Sequence, residues 1–135
     1  MSANQSVVVF DGVCHLCNGW VQFLLRRDKA ERFVFAPMQT ETGRRLLRQH
    51  GLDPDSPVSF LLLEEGVAYT DSIAILRVLR QLGPFWKAIA VVLAAVPRLL
   101  RDPAYRFVAR HRYRLFGRRA ECMIPAPEDA RRFIR

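Results

Sequence analysis

The first half of the chain alternates short apolar runs with segments of helical periodicity. Residues 7–10 and 33–36 are continuous apolar runs, which predict two strands buried on both faces. Between them, from Cys14 onward, apolar residues recur every three or four positions, and this spacing predicts an amphipathic helix. Two strands joined by a helix predict a parallel pair with a right-handed connection.

The following elements change in character. Residues 40–50 predict a second helix, which Thr40 or Thr42 can cap at its start. Residues 58–63 and 67–69 are apolar runs separated by a Glu-Glu-Gly turn, and together they predict a β-hairpin.

A third helix is predicted after the hairpin. Asp71 or Ser72 can cap its start, and Gly83 followed by proline ends it. Residues 1–83 therefore have the order β-α-β-α-β-β-α, which is typical of an α/β protein with a thioredoxin-like core.

Residues 84–135 predict a C-terminal helical extension of this core. Its two helices, 85–96 and 105–116, are separated by Pro97 and by the pair Asp102-Pro103. We expect core and extension to form a single domain, because domains usually have about 100–150 residues.

Composition supports one globular core. Of the 135 residues, 50% are apolar and 25% are charged. The three cysteines are too few, and odd in number, for the disulfide framework of a small secreted domain. Residues 1–6 lack the features of an export signal, so we expect the protein in the cytoplasm.

The longest apolar stretch is 85–100. It contains Lys87 and Arg98, and it is shorter than the roughly 20 residues that a bilayer-spanning helix needs. We therefore predict no transmembrane segment and interpret this stretch as a buried helix.

The formal net charge of +8 is concentrated near the C-terminus. Residues 98–135 hold eleven basic and four acidic residues. One hypothesis is that this region binds nucleic acid or an anionic membrane. The other is that it forms the solvated face of a packed helix. The basic positions of that helix are Arg106, Arg110, Arg112, Arg114, Arg118 and Arg119.

A Cys-x-x-Cys motif lies where the first strand gives way to the first helix. Cys14 precedes the unpaired N–H groups at the positive end of the helix dipole, which lower the pKa of a thiol. We predict that Cys14 is the attacking thiol. Cys17, one turn deeper on the apolar face, is predicted to be less exposed and to act as the resolving thiol.

Two neighbouring residues can modulate this pair. An imidazole at His15 would stabilise the Cys14 thiolate and make the disulfide more oxidising. A carboxylate at Asp11 would raise the pKa of Cys14, but as a partly buried base it could accept the proton of Cys17. We predict this proton-acceptor role for Asp11.

Other interpretations of the motif remain open. A zinc site would need His111 and Cys122 as further ligands, and their spacing matches no common zinc motif. We therefore predict no metal and no other cofactor. The two cysteines could also be small apolar core residues without a redox role. A haloacid-dehalogenase-type phosphatase would need a second Asp where Val13 stands.

Beyond the motif, the sequence resembles the DCC family of thiol-disulfide oxidoreductases, named for the residues that stand here as Asp11, Cys14 and Cys17. Residues 8–18 match its opening pattern of an apolar strand followed by D-G-x-C-x-L-C-N. The resemblance implies a thioredoxin-like fold and dithiol exchange at the two cysteines. It continues at Arg27-Asp28, 33–36, Gly43, Leu46-Leu47, Tyr69, Ser72-Ile73-Ala74, Leu82-Gly83, Pro97-Arg98, Arg101-Asp102, Tyr105, Ala109, Arg112-Tyr113, 116–118 and Cys122.

Resemblance also indicates candidate residues outside the motif. Thioredoxin-like proteins carry a cis-proline before the third strand, and Pro57 stands at that place. Residues 70–75 resemble the helix start that holds the γ-glutamyl end of glutathione in glutaredoxins, which makes Asp71 and Ser72 candidate glutathione-binding residues. A role in capping the third helix would by itself also explain Asp71 and Ser72 at these positions. Cys122 is predicted to pack in the core, with a third redox thiol as the alternative.

These observations predict a thiol-disulfide oxidoreductase. Its substrate would be a disulfide-containing protein or a small thiol such as glutathione. The alternative is a non-catalytic module that binds an acidic partner, nucleic acid or an anionic membrane, through the Arg-rich C-terminal helix.

Overall fold

The structure is a computed structural model, and it describes residues 5–53, 60–118, 125 and 127–134. The first seven elements are β1 (Ser6–Phe10), α1 (His15–Arg27), β2 (Phe33–Pro37), α2 (Glu41–Gln49), β3 (Phe60–Glu64), β4 (Val67–Tyr69) and α3 (Asp71–Leu79). The extension comprises α4 (Pro84–Ala94), α5 (Arg98–Arg110), α6 (Arg112–Phe116) and a 3-10 helix (Pro127–Arg132). This order confirms the predicted thioredoxin-like α/β core.

The four strands form one sheet in the order β2-β1-β3-β4. β1 runs parallel to β2 and antiparallel to β3, and β3 runs antiparallel to β4. At the end of β1, Phe10 stands opposite Pro37 of β2 and Phe60 of β3. The Cys-x-x-Cys motif therefore begins at the centre of one edge of the sheet, beside two other strand ends.

Helices cover both faces of the sheet. Successive side chains of a strand point to opposite faces, so Val8 and Phe10 pack with α1 and α3 while Val7 and Val9 pack with α2. All five residues of β1 are buried. The core thus has three layers, with the sheet in the middle.

Both ends of α1 are held by specific contacts. At its start, the Sγ atom of Cys14 accepts a hydrogen bond from the backbone N–H of Cys17. At its end, Asp28 accepts the N–H of Phe33 at 2.9 Å and pairs with Arg132 at 2.7 Å. Asp28 and Arg132 are both buried, so this ion pair fastens the 3-10 helix to the connection between α1 and β2.

The extension differs from its predicted helix boundaries. Asp102-Pro103 was expected to separate two helices, but both residues lie inside α5. Proline lacks the N–H that would bond to the carbonyl of Leu99, and because Leu99 is exposed, water can bond to this carbonyl instead. The predicted helix 105–116 is instead divided at His111 into α5 and α6.

The prediction of a buried helix at 85–100 is also wrong. Ala90 packs against Leu76 and Leu79 of α3, but every residue from 91 to 100 is exposed. The reason is that α1, α3 and α2 already cover the two faces of the sheet, so α4 packs only through its first part, on α3 and on Phe23 of α1, whose ring lies 5.0 Å from that of Trp86. Among the described residues, the helices all fall short of the length and apolarity that a membrane crossing requires.

Candidate active site

The two cysteines form a hydrogen-bonded pair at the start of α1. Cys14 has an extended backbone conformation, with φ −87° and ψ 124°, and its Sγ lies 3.4 Å from the backbone nitrogen of Cys17. The preceding turn is closed by a hydrogen bond from the N–H of Cys14 to the carbonyl of Asp11 at 3.2 Å. Both cysteines are free thiols. This geometry places the sulfur of Cys14 at the unpaired N–H groups of the first helical turn, as predicted.

The pKa values of the two thiols move in opposite directions. The side-chain hydrogen bond from Cys17 lowers the pKa of Cys14 to about 6, against the opposing effect of burial. Backbone N–H groups of Cys17 and Leu16 and the charge of Arg112 lower it further. The same hydrogen bond, followed by burial, raises the pKa of Cys17 well above its usual range. The two shifts favour the thiolate form at Cys14 and the protonated thiol at Cys17.

Access to the pair differs from the prediction. Cys14 was expected to be the more exposed cysteine, but its relative exposure is 0%, against 4% for Cys17. The chain that follows α6 crosses over the motif: the N–H of His15 donates to the carbonyl of Gly117 at 3.3 Å, and Cys14 forms a β-bridge with Arg118. The C-terminal extension therefore covers Cys14.

Asp11 lies at the centre of a buried polar cluster. Its Oδ1 accepts hydrogen bonds from Val13 at 3.1 Å and Gln39 at 2.8 Å, and its Oδ2 accepts them from Arg112 and from the hydroxyl of Tyr113. Burial has the largest single effect on the pKa of Asp11 and raises it, but these hydrogen bonds together lower it below its usual value. Asp11 is thus a fully buried, ionised carboxylate, whereas a partly buried one was expected.

The sequence analysis missed three residues of this cluster, which are Gln39, Arg112 and Tyr113. Both hypotheses for the basic helix left Arg112 at the surface, yet it is buried and forms an ion pair with Asp11 at 3.0 Å. A second hydrogen bond joins its Nη1 to the carbonyl of Ala109 at 2.7 Å. Burial beside Asp11 also raises the pKa of Tyr113 to about 12. A buried aspartate in the motif signals the need for a cation, but it does not indicate which arginine supplies it.

His15 lies at the rim of the site. Its side chain is exposed, and its Cδ2 lies 3.0 Å from the position that a Cβ on Gly117 would occupy. Arg112 is a cation whose charge lowers the pKa of Cys14. The influence of His15 on the thiolate stays a prediction.

The N-terminus of α3 is capped by a residue from α5. Asp71 or Ser72 was expected to cap this helix, but the N-cap residue Thr70 makes no side-chain capping bond. Instead, the carboxylate of Asp102 accepts hydrogen bonds from the N–H and the hydroxyl of Ser72. Asp71 pairs with Arg106 at 2.9 Å. The two candidate glutathione-binding residues are therefore engaged by α5.

An apolar cavity of about 440 Å³ lies beside the dithiol, between α1, α3 and α5. Cys17 contributes to its wall, and so does Ser72. Its apolar lining includes Leu16, Trp20, Phe60, Ile75, Tyr105 and Val108.

Two predicted site residues, Pro57 and Cys122, lie outside the described residues. Within the described part of the chain, no group of three or more His, Cys, Asp or Glu residues is arranged to hold a metal ion.

Comparison with known proteins identifies the family. Residues 8–118 match the family model described as DCC1-like thiol-disulfide oxidoreductase. The chain is 44% identical over 128 residues to the uncharacterized protein YuxK of Bacillus subtilis, covering 95% of this chain and 93% of that protein. It is 36% identical over 120 residues to a chloroplastic DCC family protein of Arabidopsis thaliana, and the match covers 89% of this chain and 70% of that protein. No solved structure matches the chain. These matches confirm the resemblance, and the chain belongs to the DCC1-like thiol-disulfide oxidoreductase family.

Proposed function

We propose that the protein is a dithiol oxidoreductase in which Cys14 attacks a substrate disulfide and Cys17 resolves the mixed disulfide. Membership of the family supports a redox role. The observation that carries the assignment of roles is the hydrogen-bonded cysteine pair, in which the pKa of Cys14 is lowered and that of Cys17 is raised. A thiolate is the nucleophile in disulfide exchange, so the first attack belongs to Cys14.

The proposed reaction has two steps. First, the Cys14 thiolate attacks one sulfur of the substrate disulfide, the substrate S–S bond breaks, and one thiolate leaves and takes a proton from water. Second, Cys17 attacks Sγ of Cys14 and expels the other substrate sulfur, which leaves as a thiol with the proton that Cys17 gives up. The substrate gains two electrons, and the protein becomes a Cys14–Cys17 disulfide.

Asp11 has two roles in this proposal. The acceptance of the Cys17 proton stays a prediction. The hydrogen bonds on both carboxylate oxygens support a second role, in which Asp11 holds the guanidinium of Arg112 beside the dithiol. In that role Asp11 is a positioning residue, and its effect on the nucleophile is exerted through Arg112.

Substrate access requires movement of the covering segment. Because the Cys14 side chain is fully buried, a disulfide reaches its sulfur only after Gly117 and Arg118 move away. Among the contacts described above, these two residues are held to the motif by the backbone bridge, to which the 3.3 Å hydrogen bond between His15 and Gly117 belongs. We therefore assign the segment a part in controlling access.

The contacts of α3 favour a protein disulfide over glutathione as the substrate. A glutathione carboxylate would need the N–H of Ser72, which already donates to Asp102. The apolar cavity beside Cys17 suits the apolar side chains that flank a protein disulfide. We propose a cytoplasmic thiol reductant as the source of electrons that regenerate the dithiol.

Cysteine variants test this function in an insulin-reduction assay. We expect Cys14→Ser to abolish activity, whereas Cys17→Ser should accumulate a mixed disulfide with the substrate that mass spectrometry detects. Cys122→Ser removes a cysteine outside the motif and serves as the matched control. Wild-type activity in Cys14→Ser, or an ordinary pKa of Cys14 by thiolate absorbance, would refute the assignment.

A further inference from the structure

The C-terminal helices carry an unusual number of exposed apolar side chains. Within the described part of the chain, thirteen large hydrophobic residues are exposed, and twelve of them lie between residues 85 and 116. These twelve are Phe85, Val91, Val92, Leu93, Val96, Leu99, Leu100, Phe107, Val108, Tyr113, Leu115 and Phe116. Scattered exposed hydrophobic residues are normal, whereas a concentration on neighbouring elements marks an interaction surface.

The most exposed part comprises the end of α4, the turn that follows and the start of α5, which we call the helical tip (residues 91–100). All ten of its residues are exposed, and Arg98 is its one charged residue. The relative exposure reaches 70% at Val92 and 87% at Leu99. The tip therefore projects apolar side chains away from the core.

The exposed face of α5 extends this surface and carries both apolar and basic side chains. The residues that face the protein recur at four-residue steps at Arg101, Tyr105 and Ala109, which are partly buried. The opposite side exposes Phe107 and Arg110, and the exposed Arg106 lies at the border between the two sides, where it pairs with Asp71 of α3. An exposed helix face that combines apolar and basic side chains is typical of helices that lie in a membrane interface.

The charge of these elements has one sign. Residues 84–118 contain eight basic residues and a single acidic one, Asp102. Asp102 is buried, where it accepts hydrogen bonds from Ser72 and pairs with Arg98. Apart from the buried Arg112, the basic residues lie at or near the surface, where Arg98 and Arg106 pair with Asp102 and Asp71 and Arg101 donates to Ser72. They are Lys87, Arg98, Arg101, Arg106, Arg110, Arg114 and Arg118.

We propose that the helical tip and the exposed faces of α5 and α6 dock on an anionic lipid surface. The apolar side chains of the tip enter the boundary between headgroups and acyl chains, and the arginines contact the lipid phosphates. Charge decides between occupants: two copies of this basic surface repel each other, whereas anionic lipids attract it. Nucleic acid would satisfy the arginines but would leave the aliphatic tip in water.

Docking involves the elements that hold the proposed active site. α5 caps α3 through Asp102, and α6 supplies Arg112 to Asp11. The membrane-bound protein therefore has its dithiol near the lipid surface. The inference does not rest on the proposed redox reaction, and Cys14→Ser should bind vesicles as the wild type does.

Co-sedimentation of the full chain with lipid vesicles tests the proposal. We expect binding to phosphatidylcholine vesicles that contain phosphatidylglycerol, little binding to pure phosphatidylcholine, and weaker binding as salt increases. Leu99→Asp combined with Leu100→Asp should weaken binding at least ~10-fold, because two apolar contacts become charged. Val67→Asp, which alters an exposed apolar residue of β4, is the matched control and should bind normally.

Charge is tested separately with Arg110→Glu combined with Arg114→Glu, which should also weaken binding at least ~10-fold. Circular dichroism verifies that each variant is folded. The proposal is overturned if anionic vesicles do not bind, or if the double Asp variant binds as the wild type does. It is also overturned if light scattering shows a stable dimer that the double Asp variant dissociates, or if nucleic acid binds more tightly than the vesicles.

Discussion

Arg112→Gln is the substitution that examines the buried site most directly. It removes the ion pair at 3.0 Å and the hydrogen bond at 3.3 Å that Arg112 makes with Oδ2 of Asp11. Asp11 has no exposed surface, so its charge would remain buried without a cation. Breaking such a pair by removing one partner costs about 3–5 kcal/mol. We expect the free energy of unfolding to fall by that amount.

The same variant should change the pKa of Cys14. Because the charge of Arg112 lowers the pKa of Cys14, its removal should raise that pKa above about 6. Ultraviolet absorbance of the thiolate against pH measures this change, and urea unfolding measures stability. A purely structural role for Arg112 would reduce stability and leave the thiol pKa unchanged.

Two further variants make the result decisive. Arg110→Gln changes an exposed arginine on α5 and should have little effect on either measurement. The double variant Asp11→Asn with Arg112→Gln leaves no unpaired charge and should recover most of the lost stability. A loss below about 1 kcal/mol for Arg112→Gln, the value of a surface pair, would refute the reasoning.

Two other predictions concern the dithiol and the cap of α3. The pKa of Cys14 is about 6 in the folded, reduced protein, and the ordinary value of 9.0 applies to the unfolded chain. The resulting stabilisation is fully present above pH 9.0 and is lost as the pH falls through about 6. Urea unfolding should therefore show stability rising by up to about 1.4 kcal/mol per pH unit between these values, relative to Cys14→Ser, and parallel pH profiles would contradict it. Asp102→Ala frees the N–H of Ser72 and should destabilise the protein by about 0.5–2 kcal/mol. It should also lower KM for glutathione disulfide but not for insulin. An unchanged ratio of these two KM values would count against the idea that Asp102 blocks a glutathione site at Ser72.

Features that depend on neighbouring residues could be predicted from the sequence. The apolar run before Asp11 predicts a buried strand, and the periodicity after Cys14 predicts the helix that follows. Their junction places Cys14 at the first turn, so the direction of its pKa shift follows from the motif.

Features that depend on distant contacts could not be predicted. Arg112 and Asp11 are 101 positions apart, and the chain has nineteen arginines. The sequence shows which residues are apolar, but it does not show whether another element packs on them. Residues 91–100 are mostly apolar, yet all of them are exposed in the structure. The cover over Cys14 likewise depends on where the chain after α6 lies.

The sequence thus determines the local chemistry of this protein: a thiol at a helix start, after a buried strand and an aspartate. Short-range backbone geometry is sufficient for that. The tertiary structure decides the environment of this chemistry. Long-range packing brings a cation to Asp11 and places the carboxylate of Asp102 at the N-terminus of α3, where it accepts the N–H of Ser72. It also covers Cys14 and leaves the helical tip exposed. These outcomes depend on which surfaces remain free once the sheet is covered, and no local pattern encodes that competition.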